Sequence, residues 1–220
     1  RNVVKSLEQE SVGSIVSPFG LWIKYVTGLH LSDLRTQQSR TSITSPGEKL
    51  KLARDIATTK ARLWYQENSE RKLELPFLPI TGSFPDPLLD EIMTEGRKYI
   101  DPAFTGEAIV SAAELSLAMG HGFSSALNLM PFTCMPSNVV IGLEPRIRGE
   151  NEHFPIAHLE YDGSRDATYE DRLSVHAFQS HKYFEKHADQ ILATQRHHQE
   201  QALKTYNKKA DSKRRIRLPA

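Results

Sequence analysis

Cysteine is almost missing from this 220-residue chain: Cys134 is the only one. An internal disulfide is therefore excluded, and such sparse usage fits a reducing, cytoplasmic setting. No stretch approaches the roughly 18 consecutive apolar residues that a membrane-spanning helix needs. An excess of one charge is lacking as well. The 28 Lys and Arg stand against 27 Asp and Glu, which leaves no global electrostatic case for nucleic acid. Absent too are the phosphate loops G-x-x-x-x-G-K-[ST] and G-x-G-x-x-G, the H-E-x-x-H zinc motif and the G-x-S-x-G nucleophile elbow. The first residues, Arg1-Asn2-Val3-Val4-Lys5, have neither an initiator Met nor a signal-peptide core. The expectation is a processed chain or a piece of a longer one.

What is present is ordinary for a globular protein, with 39% hydrophobic and 25% charged residues, enough for one good core or two small ones. A β-branched stretch at 12–17 leads to Pro18, which suits the first turn of a helix carrying Leu21, Trp22, Tyr25 and Val26. The polar stretch from Ser32 to Thr44 reads as a loop. Ser45-Pro46-Gly47-Glu48 is a helix start with a capping-box pattern. The helix it opens should run to about Asn68, with Leu50, Ala53, Ile56, Ala57, Ala61 and Trp64 on its apolar face. Pro76, Pro79, Pro85 and Pro87 predict an irregular connection, and a helix from Pro87 to Ile100 should follow, with Leu88, Leu89, Ile92 and Met93 as its stripe.

The second half has a clearer rhythm. A helix from Thr105 or Gly106 ends at Gly120-His121-Gly122, where His121 serves as C-cap. A strand over 125–130 delivers Pro131-Phe132-Thr133-Cys134-Met135-Pro136. A helix from about Asn138 to Arg148, a strand over 155–161 ending at Asp162-Gly163, and a long helix from near Tyr169 complete the series. Alternating helices and strands with short loops are the βαβ signature, so the predicted fold is α/β: a Rossmann-like three-layer arrangement with a small parallel sheet of about three strands. The N-terminal half (18–100) should be helix-rich and the second half (101–199) βαβ, together making one module at 1–199. Residues 200–220 read as a basic, frayed tail without nucleic-acid or membrane function.

One segment carries a family likeness. Gly106-Glu107-Ala108, the Asn128 to Pro136 loop, Asp162-Gly163, and Arg172-Leu173 with Phe178-Gln179 occur in that order. This series resembles the 2-hydroxyacyl-CoA dehydratase superfamily and its activase-related proteins. The resemblance implies that Cys134 is one ligand of a [4Fe–4S] cluster used in ATP-coupled, low-potential electron transfer. The other ligands would come from other domains of a longer polypeptide or a homologous subunit, working with an ATPase activase module. By itself the chain would be part of a redox system rather than a complete enzyme.

In that reading Pro131, Phe132, Thr133, Met135 and Pro136 support the site, while Asp162 and Arg172 stand in its surroundings. Arg172 would meet a CoA phosphate or Asp162. Each residue has a plainer alternative. Cys134 is a small buried hydrophobe at a strand end, Asp162 is turn chemistry, and Arg172 makes a surface ion pair with Glu170. The nine histidines read as solvated helix residues, since His176 and His181 fall on different faces and His197-His198 diverge. A triad of Ser137, His158 and Asp162 is rejected for want of an elbow. The alternative function is a non-catalytic scaffold or interaction domain that kept the fold without the cluster.

Overall fold

The computed structural model describes residues 2–40, 45–74, 76–77, 89–104, 106–149, 153–161 and 168–215. The chain divides into two units, one formed by Arg1–Val16 and Asp90–His198, the other by Ser17–Leu89 and Gln199–Ala220. The coarse expectation holds: the protein is helix-rich with a small parallel sheet. Among the described residues that sheet has two strands, β1 (Ala126–Pro131) and β2 (Ile156–Tyr161), rather than about three. The β-branched stretch at 12–17 has no ladder partner and forms no regular element.

In the first unit, β1 and β2 pair in parallel with Ala126 opposite Ile156 and Pro131 opposite Tyr161. Helix α6 (Met135–Arg148) makes the crossover between them. The register puts Leu127, Leu129, Ala157 and Leu159 on one face. There Leu127, Leu159 and Tyr161 pack with Leu7 of α1 (Val3–Gln9) and with Tyr169, Leu173 and Ala177 of α7 (Tyr169–Arg215). The opposite face carries Asn128, Met130, Ile156 and His158, and His158 meets Glu144 of α6. Helices therefore touch both faces of the sheet, as a parallel pair requires.

Two further helices belong to this unit. α4 (Leu89–Gly96) is shorter than expected and gives way to turns over 97–100. α5 (Ala108–Gly120) is made of small and aliphatic residues, and Ala108, Ile109, Ala112 and Ala113 are buried. It ends as its glycines foretell. His121 is the C-cap, Gly122 takes φ 81°, and the Phe123 N–H reaches the Ala118 carbonyl at 3.3 Å in a Schellman closure. α7 is continuous except at His187, whose φ of −121° and ψ of 18° interrupt the helix, and its backbone remains helical to Arg215. Leu173 and Ala177 of α7 are buried, whereas Phe178 is exposed.

The second unit corrects two expectations. α2 (Phe19–Arg40) continues through the polar stretch read as a loop from Ser32. The physical reason is α3 (Pro46–Glu74), because Leu31 and Leu34 bury against its Ile56, with Leu52 alongside. Tertiary burial of two residues on one face outweighs the weak helix signal of their polar neighbours. The apolar face expected for α3 holds at Ile56, which is buried, but Leu50 and Trp64 are exposed and Thr59, outside that face, is buried. Likewise Leu21 and Tyr25 are core residues but Trp22 is exposed. Lys24, only 3% exposed, pairs with Glu70. This contact between early α2 and late α3 makes the two helices antiparallel. The predicted connection after α3 falls almost wholly outside the described residues, apart from a turn at Pro76 and Phe77.

Candidate functional site

Three features meet at the sheet: the Cys134 corner, a polar cluster beneath the strands, and the outer edge of β2. The corner begins at Pro131, the last residue of β1. The ladder bonds run from Ala126 N–H to Pro155 O and from Phe132 N–H to Tyr161 O. The even-numbered residues of β1 therefore point their backbone groups at β2, and the odd ones point away. Pro131 thus stands where no donor is needed. Thr133 then takes φ 61°, a left-handed conformation unfavourable for a β-branched residue. Its hydroxyl donates to the Phe132 carbonyl at 2.7 Å.

This kink places Cys134 as the N-cap of α6, half-buried, with its carbonyl accepting from the Asn138 N–H at 3.0 Å. The helix starts at Met135, three residues earlier than expected. Pro136 therefore lies in the first helical turn, where a missing N–H costs nothing, and not in a loop. Phe132 and Met135, both 61% exposed, flank the thiol.

The implied iron–sulfur cluster can be tested against these donors. Such clusters are held by about four thiolates, and Cys134 is the sole cysteine of the chain. Among the described residues no three His, Cys, Asp or Glu side chains converge on a common point. The donor set does not fit a [4Fe–4S] cluster on this chain, and no chemical step is derived through one. Asp162 lies outside the described residues. Arg172 turns up at the outer edge of β2, where its guanidinium donates to the His158 carbonyl at 2.6 Å; this replaces the expected pairing with Glu170.

Sequence reasoning missed the polar cluster. Asn128 and His158 are register partners, and the Asn128 amide nitrogen lies 3.1 Å from His158 Nδ1. On the other side, His158 Nε2 is 2.8 Å from a Glu144 carboxylate oxygen. The second carboxylate oxygen of Glu144 pairs with Arg148 one helical turn later. Both ring nitrogens of His158 are thus engaged, so the imidazole locks α6 to the sheet and has no free nitrogen to act as a base. Only the Glu144/Arg148 spacing was visible in the sequence. The partnership with His158 needs the strand register.

The outer edge of β2 is the remaining feature. Because 155, 157, 159 and 161 face β1, the N–H and C=O groups of Ile156, His158 and Glu160 point outward. Arg148 reaches the Ile156 carbonyl at 3.4 Å and Arg172 takes the His158 carbonyl. The N–H groups of His158 and Glu160 find no partner among the described residues. Beside this edge lies an open cavity of about 360 Å³, walled on the far side by Thr168, Asp171, Arg172, Val175, His176 and Gln179 of the chain leading into and along α7. His176 is 3% exposed, not solvated as expected, and its Nδ1 has no hydrogen-bond partner. Burial pushes its pKa down, so the ring is neutral.

No protein-family model, curated protein or solved structure matches the chain. The likeness to the dehydratase superfamily therefore stands on the sequence motifs around Cys134.

Proposed function

We propose that this chain is a binding module whose parallel sheet is completed by a strand from a partner. One observation carries the reading: a parallel pair covered by helices on both faces, with outward backbone groups on both strands. Parallel sheets of only two strands, as found among the described residues, are unusual, and the outward backbone groups of an edge strand are a ready template for a further strand. An added strand would extend the present arrangement towards the Rossmann-like three-layer form expected from the sequence. His158, with both ring nitrogens engaged, ties α6 to the sheet and leaves the outward backbone groups of the strands for a partner. Leu129, on the same sheet face as Leu127 and Leu159 but 45% exposed, adds apolar surface of the kind partners cover.

The redox alternative requires the remaining thiolates to come from another polypeptide, with Cys134 at their shared corner. One experiment separates the two. Photo-crosslinking side chains are placed at Leu129 and at Val175, both exposed, in the full chain inside cells. The binding reading expects a discrete heavier adduct from one or both positions, undiminished by Cys134→Ser. Absence of any discrete adduct from either position would defeat it. So would adducts that vanish with Cys134→Ser, combined with a visible iron–sulfur absorption on anaerobic reconstitution that also needs Cys134.

A further inference from the structure

The two sheet edges are not equivalent, and the edge of β2 carries a more specific inference, which rests on the binding-module reading. We propose that an extended peptide bearing a carboxylate side chain docks along β2 as a third strand, in the groove between that edge and α7. Three independent observations converge there. The His158 and Glu160 N–H groups face outward with no partner among the described residues, and strand addition is the general way such rows are satisfied. A cavity of about 360 Å³ lies beside β2 at Ala157, His158 and Leu159, so no helix among the described residues covers that stretch of the strand. At the wall of that cavity stands His176, buried to 3% exposure with an unpartnered ring nitrogen.

The carboxylate follows from Arg172. Among the described residues its guanidinium is engaged by a neutral carbonyl, that of His158, and pairs with no acidic side chain, including that of Asp171 beside it on the same wall. An incoming strand would donate its own N–H to the His158 carbonyl and release the guanidinium. Arg172 would then take the peptide carboxylate, exchanging a contact with one charged partner for a bidentate-capable pair in which both partners are charged. Thr168, Arg172, Val175 and Gln179 follow one another at helical spacing along this wall, so alternate side chains of the strand would face a continuous stripe of α7.

The test pans a displayed library of random ten-residue peptides on the full chain and measures a synthetic consensus peptide by fluorescence anisotropy. The expected consensus holds Asp or Glu at one fixed position among alternating apolar residues. Its affinity should fall at least about tenfold with Arg172→Ala and with Val175→Arg, an exposed position whose substitution leaves the core intact. Panning on Arg172→Glu should move the consensus to a basic residue. Saturating peptide should slow exchange of the His158 and Glu160 amides. Failure to enrich any peptide would overturn the proposal, as would a consensus indifferent to Arg172→Glu. Protection of Leu127 and Leu129 instead would place the partner on β1, sinking this inference while leaving the binding module standing. Protection of His158 and Glu160 by raising protein concentration alone would name a second copy as the occupant and also overturn it.

Discussion

His176 sits in the first turns of α7 with 3% of its surface exposed, and burial holds its pKa below the ordinary value of about 6.5. In the unfolded chain the imidazole takes up a proton near that value, whereas in the folded chain it does so only at lower pH. Its stabilising contribution is therefore complete above about pH 6.5. It is lost as pH falls through that value towards the lowered folded pKa. His198 contributes with the same sign, because burial first, then the neighbouring His121 and His197, disfavour its charged form. Replacing His176 with Asn should flatten the fall in stability below about pH 6.5 by up to one proton's worth, about 1.4 kcal/mol per pH unit. Urea unfolding at several pH values measures this slope. A variant whose slope equals that of the wild type would show that His176 titrates normally in the fold.

At the scale of elements, the α2–α3 hairpin depends on a charge pair. Lys24 is almost fully buried and Glu70 half-buried, and their pair fixes the start of α2 against the end of α3. Removing only the acid strands a buried ammonium, which costs roughly 3 kcal/mol or more, whereas replacing both with apolar residues is often neutral. Glu70→Ala should thus destabilise the hairpin by that amount, and the double change Lys24→Met with Glu70→Leu should recover most of it. Equal losses in the single and double variants would show that the ion pair, not the stranded charge, is what matters.

The same hairpin shows what the sequence could and could not disclose. The closing of α5 at His121 and Gly122, the strands at 126–131 and 156–161, and the place of Cys134 at a strand end were all legible, because glycines and short apolar runs act locally. The helical course of 32–40 was not, since it depends on Leu31 and Leu34 finding Ile56 across the hairpin. The Asn128–His158–Glu144 chain was equally hidden, because it joins three elements whose alignment is set by strand register.

For the whole molecule, each unit has a core of its own, and the two differ in depth. The 29 residues of α3 bury only Ile56 and Thr59, while the cluster around Leu159 draws on Leu7, Tyr169, Leu173 and Ala177. Helices of that length gain most of their stability from packing, so the unit holding α2 and α3 should melt first. Both tryptophans of the chain, Trp22 and Trp64, lie in that unit. In a Trp64→Phe background, Trp22, which stacks on Phe19 with ring centroids 5.6 Å apart, becomes a reporter for it alone. Its emission should change at lower urea than the final loss of far-ultraviolet circular dichroism. Glu70→Ala should shift only the fluorescence transition. Leu159→Ala, which truncates a side chain 1% exposed, should shift only the later one, by the equivalent of about 2–5 kcal/mol. Coincident transitions moved together by either substitution would mean that the two cores unfold as one cooperative body. Partner binding to the sheet should in turn raise the later transition alone, because a ligand stabilises only the part of the chain whose folded form it binds.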